Sequence, residues 1–299
     1  MSDPDRMPGG IFYRPPGYDE RIVSYGPTDP QAYFAMHHLS LDGIDTTHMP
    51  TAIVIIYTND GFVVASDGYG DRYQGPPALM EQKIFEIKDP AFSLVYGVSG
   101  AASFLVKDPY TGIENDVFKR NYEQAIAELK NWTWSDLRDY VNEFVRLVGP
   151  TLGKEFSARD SRTQEMEVQF AGYFKGEPAM AERNIFYSRD GYSVKEERSW
   201  CPPGPTERSI VGSPHVTRGL LSAEDDAFSR FKTVGWKKVY DCDWNLSFEE
   251  AVESATQYIE ACKSPEAREI DSKCKAIGGF TWVAKVTKAN GFEWLKHPD

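Results

Sequence analysis

Basic residues are in the minority. The chain has 33 Lys and Arg against 45 Asp and Glu, a formal charge of −12. Nucleic acids and anionic membranes attract basic patches, so neither is expected as the main partner. Long apolar runs are missing too, and no stretch approaches the length of a membrane span. The opening residues, MSDPDRMPGGIFYRPPG, do not follow the basic-then-apolar order of a secretion signal. Cysteine is scarce: Cys201, Cys242, Cys262 and Cys274 are scattered and form no CxxC pair. They read as reduced thiols of a cytoplasmic protein. Histidine gives little more. His37, His38 and His48 show no regular ligand spacing and read as surface or packing residues, so no metal site is expected.

What the chain does have is enough apolar material for a large core, with 41% hydrophobic and 13% aromatic residues in 299. Residues 1–50 are rich in Pro, Gly, Asp and Tyr without sustained periodicity, which predicts a propeptide or an arm, with the main domain at 51–299. That domain opens on a hairpin. Thr51 precedes the apolar run Ile53-Val54-Ile55-Ile56-Tyr57, Asn59-Asp60-Gly61 makes the turn, and Phe62-Val63-Val64-Ala65-Ser66 returns to Asp67. After a Gly/Pro-rich loop, Lys83 heads a third strand, Ile84-Phe85-Glu86-Ile87. The hairpin brings Thr51 beside Asp67, with Lys83 in reach. A hydroxyl, a carboxylate and an ammonium converging at one sheet end suit a nucleophile.

This stretch resembles the proteasome β-subunits and their bacterial ring-peptidase relatives, which are N-terminal nucleophile hydrolases. In that family a threonine opens the first strand, an aspartate follows sixteen residues later and a lysine thirty-two later, the spacing of Thr51, Asp67 and Lys83 here. The resemblance implies a peptide or protein substrate, no cofactor, and a homo-oligomer that could close into a ring; no ATPase partner is read from the sequence. It also implies an oxyanion-hole glycine where a strand of small residues turns into a helix. Strict spacing points to Gly97, whereas the pattern Ser99-Gly100-Ala101-Ala102-Ser103 points to Gly100, the preferred candidate. In Ser209-Ile210-Val211-Gly212-Ser213-Pro214, Ser213 matches the serine that the family sets beside the threonine amine.

The remaining elements are read from periodicity. Asp116–Lys130 predicts a helix, and a second, capped by Thr133 or Ser135, runs to Gly149-Pro150 with a loop over 151–165. Glu167–Tyr173 and Asn184–Tyr187 read as strands joined across Lys175-Gly176-Glu177-Pro178, and Arg189-Asp190-Gly191-Tyr192 as a further hairpin turn. Ser247-Phe248-Glu249-Glu250 is a capping box that opens a third helix, and Gly278–Val286 reads as a late strand of the same sheet pair. This order predicts an α+β fold, a four-layer αββα sandwich with two antiparallel sheets face to face and helices outside; the resemblance implies the N-terminal nucleophile type.

Two departures from the family pattern carry expectations of their own. Pro50 stands where the family has glycine before its threonine, so self-cleavage is expected to be hindered. Cys274 and Ile277 occupy the positions of the family's late Asp and Ser, with Asp271 and Ser272 out of register, so the proton relay is expected to be weakened. The expected activity is that of a threonine peptidase. The alternative is a non-catalytic, unprocessed ring subunit, and a small-amide acylase is a third possibility.

Overall fold

A computed structural model describes residues 11–13, 51–70, 78–89, 92–100, 105–107, 114–157, 164–188, 191–200, 208–213, 216 and 246–298. Pro50, His37, His38, His48, Cys201 and Cys242 lie outside the described residues.

The chain is mixed α+β and is built on two antiparallel sheets. A five-stranded sheet carries the predicted hairpin. Its strands are β2 (Ile53–Thr58), β3 (Gly61–Asp67), β11 (Arg208–Val211), β12 (Thr281–Thr287) and β13 (Gly291–Lys296), in the order β11-β2-β3-β12-β13. The six-stranded sheet contains β4 (Ile84–Asp89), β5 (Phe92–Ser99), β8 (Gln164–Phe174), β9 (Glu177–Ser188) and β10 (Gly191–Trp200). At its edge, β1 (Ile11–Tyr13) pairs antiparallel with Tyr192–Val194, so part of the N-terminal extension joins the sheet. A short pair, β6 (Leu105–Lys107) with β7 (Glu114–Asp116), stands apart.

Alternation along the strands sorts side chains into three cores, because successive residues of a strand face opposite ways. Ile55, Phe62, Val64, Val95, Ala171 and Trp282 meet between the two sheets. The other face of the five-stranded sheet, with Val54, Val63 and Ala65, packs on Tyr258, Ile259 and Cys262 of α3 (Phe248–Lys263). The other face of the six-stranded sheet, with Tyr96, Val98 and Phe170, packs on α1 (Val117–Leu129) and α2 (Leu137–Ser157). Short helix α4 (Pro265–Ile270) and a 3-10 turn (Ser272–Ala276) return the chain to β12. The capping box is formed: Ser247 Oγ accepts from Glu250 N, and Glu250 Oε2 accepts from Ser247 N.

Three predicted details are corrected. The helix expected directly after Gly100 is not there in the described residues, because Leu105–Lys107 is a strand. The second helix starts at Leu137, with the carboxylate of Asp136, rather than Thr133 or Ser135, accepting from Asp139 N (2.9 Å). That helix also does not stop at Gly149-Pro150 but continues to Ser157, and β8 already begins at Gln164, so the predicted loop over 151–165 shrinks. Proline in a helix interior gives up one backbone hydrogen bond. Fully buried Val148 and Leu152 on either side hold the helix against the aromatic core, and this packing outweighs the local preference.

Gly149 has a separate packing role. A Cβ built there would lie 2.5–2.7 Å from the ring of Tyr192, the buried β10 residue that pairs with β1. Helix propensity alone makes Gly149→Ala stabilising by about 1 kcal/mol. Overpacking against a buried ring typically costs about 1–3 kcal/mol. Packing should win, so Gly149→Ala is expected to lower the denaturant midpoint, and a raised midpoint would show that the ring moves aside freely.

Candidate functional site

The site forms where β2 begins, β3 ends and β4 begins. In the hairpin register Ile53 pairs with Ser66, which sets Ala52 opposite Asp67 at the strand ends. Asp67 N donates to Ala52 O (3.1 Å), and Ala52 N donates to the Asp67 carboxylate (Oδ1, 3.0 Å). Lys83 reaches in from the start of β4. Its Nζ donates to Asp67 Oδ1 (2.8 Å) and to Thr51 Oγ1 (3.1 Å). All three side chains are buried, with Thr51 4% exposed, Asp67 0% and Lys83 2%. The structure therefore joins Thr51 and Asp67 through the Lys83 ammonium.

A buried ion pair is not stabilising in itself. At 2.8 Å and an effective dielectric of about 20, the attraction is about 6 kcal/mol. Desolvation costs several kcal/mol for each ion. The two nearly cancel, and the hydrogen bonds around the pair decide the balance. Asp67 is well supplied, since Oδ2 also accepts from Tyr69 N (3.1 Å) and Gly278 N (3.2 Å). With Lys83 and Ala52, the carboxylate takes four donors on two oxygens.

The Gly278 amide comes from the turn before β12, which is locked onto the same corner. Gly68 N donates to Gly278 O (3.0 Å), Phe280 N to Leu79 O (2.7 Å) and Glu81 N to Gly68 O (2.8 Å). Gly279 sits at φ +69°, and a Cβ there would lie 2.3 Å from Leu79 O, so the position needs glycine for both conformation and space.

Ser213 approaches from the other side. Val211 pairs with Ile53, and continuing that antiparallel register puts Ser213 level with Thr51. The ribbons are close here, since a Cβ built on Gly212 would touch Ala52 Cα at 3.3 Å. Ser213 is fully buried. Its Oγ donates to Asp271 Oδ2 (2.6 Å) and accepts from Val216 N (3.2 Å). Tyr258 Oη of α3 donates to Val211 O (3.3 Å) and steadies the same strand end. Cys262 and Cys274 are free and fully buried in the α3 core, and burial pushes the Cys262 thiol well above its ordinary range.

Asp271 is the residue that the sequence reading set out of register. Its Oδ1 accepts from Lys273 N (2.9 Å), making it the N-cap of the 3-10 turn, while Oδ2 takes the Ser213 hydroxyl. The cysteine and isoleucine at 274 and 277 therefore do not leave Ser213 without an acid partner. An Asp-Ser pair at a turn start is a capping signature, and it was the available clue. The Gly278 amide gave no such signal.

The two glycine candidates separate. Gly97 lies in mid-strand, paired with Ile84 and Gln169, and a Cβ there would press on Ile53 at 3.3 Å. Its smallness serves the approach of the two sheets. Gly100 follows the last residue of β5 with φ +86°, just past the point where Val98 N donates to Lys83 O (3.0 Å). It lies at the site's end of the strand, and residues 101–104 lie outside those described.

Neither a family model nor a curated protein matches this chain.

The balance at Asp67 generates an ordering. Lys83→Met leaves the carboxylate buried but still holding three backbone N–H groups. Asp67→Ala strands a buried ammonium and all three of those amides. Breaking one partner of a buried pair typically costs about 3–5 kcal/mol, so Lys83→Met should fall near the lower end and Asp67→Ala at or above the upper. Equal stabilities in urea titrations would mean that the backbone donors contribute nothing.

Proposed function

We propose that the chain is a proteasome-like threonine amidohydrolase of the four-layer αββα type, with Thr51 as its nucleophile. The observation that carries this reading is the buried contact of Lys83 Nζ with both Thr51 Oγ1 (3.1 Å) and Asp67 Oδ1 (2.8 Å). The fold reading is supported by three cores that alternate with two sheets, with helices on both outer faces.

On this reading Thr51 Oγ attacks the scissile carbonyl of a peptide or related amide after the bond from Pro50 to Thr51 is cut. The freed α-amine serves as general base, with an ordinary pKa of about 7.7–8.0 that suits neutral pH. Lys83 donates to Oγ and stabilises negative charge building there. Asp67 keeps the ammonium oriented, the part that the third member of a catalytic triad plays. Ser213, level with Thr51 and backed by Asp271, is set to hydrogen-bond the new amine. The Gly100 amide is the candidate oxyanion donor, a contribution typically worth about 3–4 kcal/mol.

Pro50 and the 4% exposure of Thr51 favour a second reading, in which the chain stays uncut and serves as a non-catalytic subunit of an assembly. Intact mass of the native protein separates the two, since the peptidase should begin at Thr51 and the scaffold should keep its extension. Thr51→Ala should abolish both cleavage and turnover of fluorogenic peptides while costing about 1 kcal/mol of stability. Full activity in that variant would remove Thr51 from the mechanism. If the native protein is uncut, Pro50→Gly should release cleavage between residues 50 and 51. An uncut Pro50→Gly protein would favour the scaffold.

A further inference from the structure

Beside the Thr51 site is a second polar cluster that the mechanism above does not use. Thr281, the first residue of β12, pairs directly with Asp67 across the sheet and is 1% exposed. Its hydroxyl donates to Glu260 Oε1 of α3. Lys263, at the end of the same helix, donates to three acceptors: Glu260 Oε1 (2.7 Å), Thr281 Oγ1 (2.7 Å) and the carbonyl of Gly279 (3.1 Å). Burial pushes the Glu260 carboxyl up, but the bonds from Lys263 and Thr281 outweigh it and hold it below its usual range.

Lys263 and Glu260 could be only an i,i+3 ion pair, a contact that typically contributes a few tenths of a kcal/mol. The geometry goes further. The Lys263 ammonium leaves its own helix and grips two groups of another element on either side of Phe280, and its side chain is only 16% exposed. The gripped segment is the one whose Gly278 amide donates to Asp67 Oδ2 and whose Phe280 amide ties down Leu79, four residues before Lys83. On the same helix, Tyr258 holds the strand end that carries Ser213. The C-terminal half of α3 thus touches both halves of the site.

We propose that Lys263 is a positioning residue for the Thr51 site: by holding Gly279 O and Thr281 Oγ1 against α3 it keeps the Gly278 amide on Asp67, and so keeps Lys83 aligned with Thr51. The catalytic consequence rests on the amidohydrolase reading, whereas the positioning itself does not.

The experiment follows amide hydrogen exchange at Gly278 by NMR in the full chain, using Lys263→Met and Glu260→Gln. Lys263→Met should speed exchange at Gly278 by about tenfold relative to amides in β8 and β9, the mark of a local opening. Glu260→Gln removes the ion pair but leaves the bonds to Gly279 and Thr281, so its exchange at Gly278 should stay within about twofold of wild type. If Lys263→Met fails to fold, Thr281→Val removes one of the two gripping contacts and should still loosen Gly278. In an active protein, Lys263→Met should lower kcat about tenfold with little change in KM, the pattern of a lost transition-state alignment. Unchanged exchange at Gly278, an equal effect from Glu260→Gln, or unchanged kcat in an active protein each overturns the proposal. Faster exchange at Gly278 in a protein whose wild type turns over no amide supports the positioning and counts against the amidohydrolase reading instead.

Discussion

A lysine ammonium and an aspartate carboxylate 2.8 Å apart, both almost wholly out of water, need more than each other to be tolerated. Asp67 meets that need with three backbone amides drawn from three places: the start of β2, the loop after β3 and the turn before β12. Each amide fixes a segment relative to the same carboxylate. The pair therefore constrains the register of β2 on β3 and of β3 on β12, since a slip of one residue would turn Asp67 to the other face of the sheet. The Gly278–Phe280 turn obeys the same constraint, as its glycines allow it to press against Gly68 and Leu79.

The front of the site was legible because it is local. A hairpin has fixed geometry, so a threonine before its first strand and an aspartate at the end of its second must meet, and Lys83 at the head of β4 lay in reach. Sixteen and thirty-two residues of spacing sufficed for that. The back of the site is made by residues more than two hundred positions away from Asp67, and no periodicity reports such contacts. Gly278 contributes a backbone amide, which leaves no trace in side-chain chemistry. Asp271 reaches Ser213 across 58 residues, a contact that local spacing does not report. The two errors at the ends of α2 have different causes. Asp136 and Ser135 are equally good caps by local preference, so the start was ambiguous by one residue, whereas Pro150 is carried through by tertiary packing beside Leu152, where context overrode local preference.

Aromatic packing explains why the distant half of the molecule is firm enough to hold this corner. Tyr96 stacks with Phe85 and Phe170 and meets Tyr122 and Phe144 edge-on or tilted, joining β4, β5 and β8 to both α1 and α2. Rings in such arrangements add about 0.5–1.5 kcal/mol per pair beyond their buried area. β5 runs from this cluster to Gly100, and β4 runs back to Lys83. The catalytic lysine of the proposed mechanism thus leads directly into a strand fixed by a dense core, and its reach toward Thr51 does not depend on a loop alone.

The two acid–base partnerships at Thr51 are also kept apart by the sheet. Lys83 with Asp67 lies on the β3 side of β2, and Ser213 with Asp271 lies on the β11 side. In the proposed mechanism this separation matters, because the nucleophile must lose a proton while its neighbour gains one. An ammonium donor can lower the cost of an alkoxide without accepting its proton, which leaves that proton for a base on the opposite flank. While residue 51 is joined to Pro50, that flank has no free amine to offer. Ser213 then donates to Asp271 and accepts from the Val216 amide. On the proposed reading the uncut chain holds a nucleophile already polarised by Lys83 but lacking its base, and cleavage after Pro50 supplies the missing group at the position where Ser213 is already oriented to receive it.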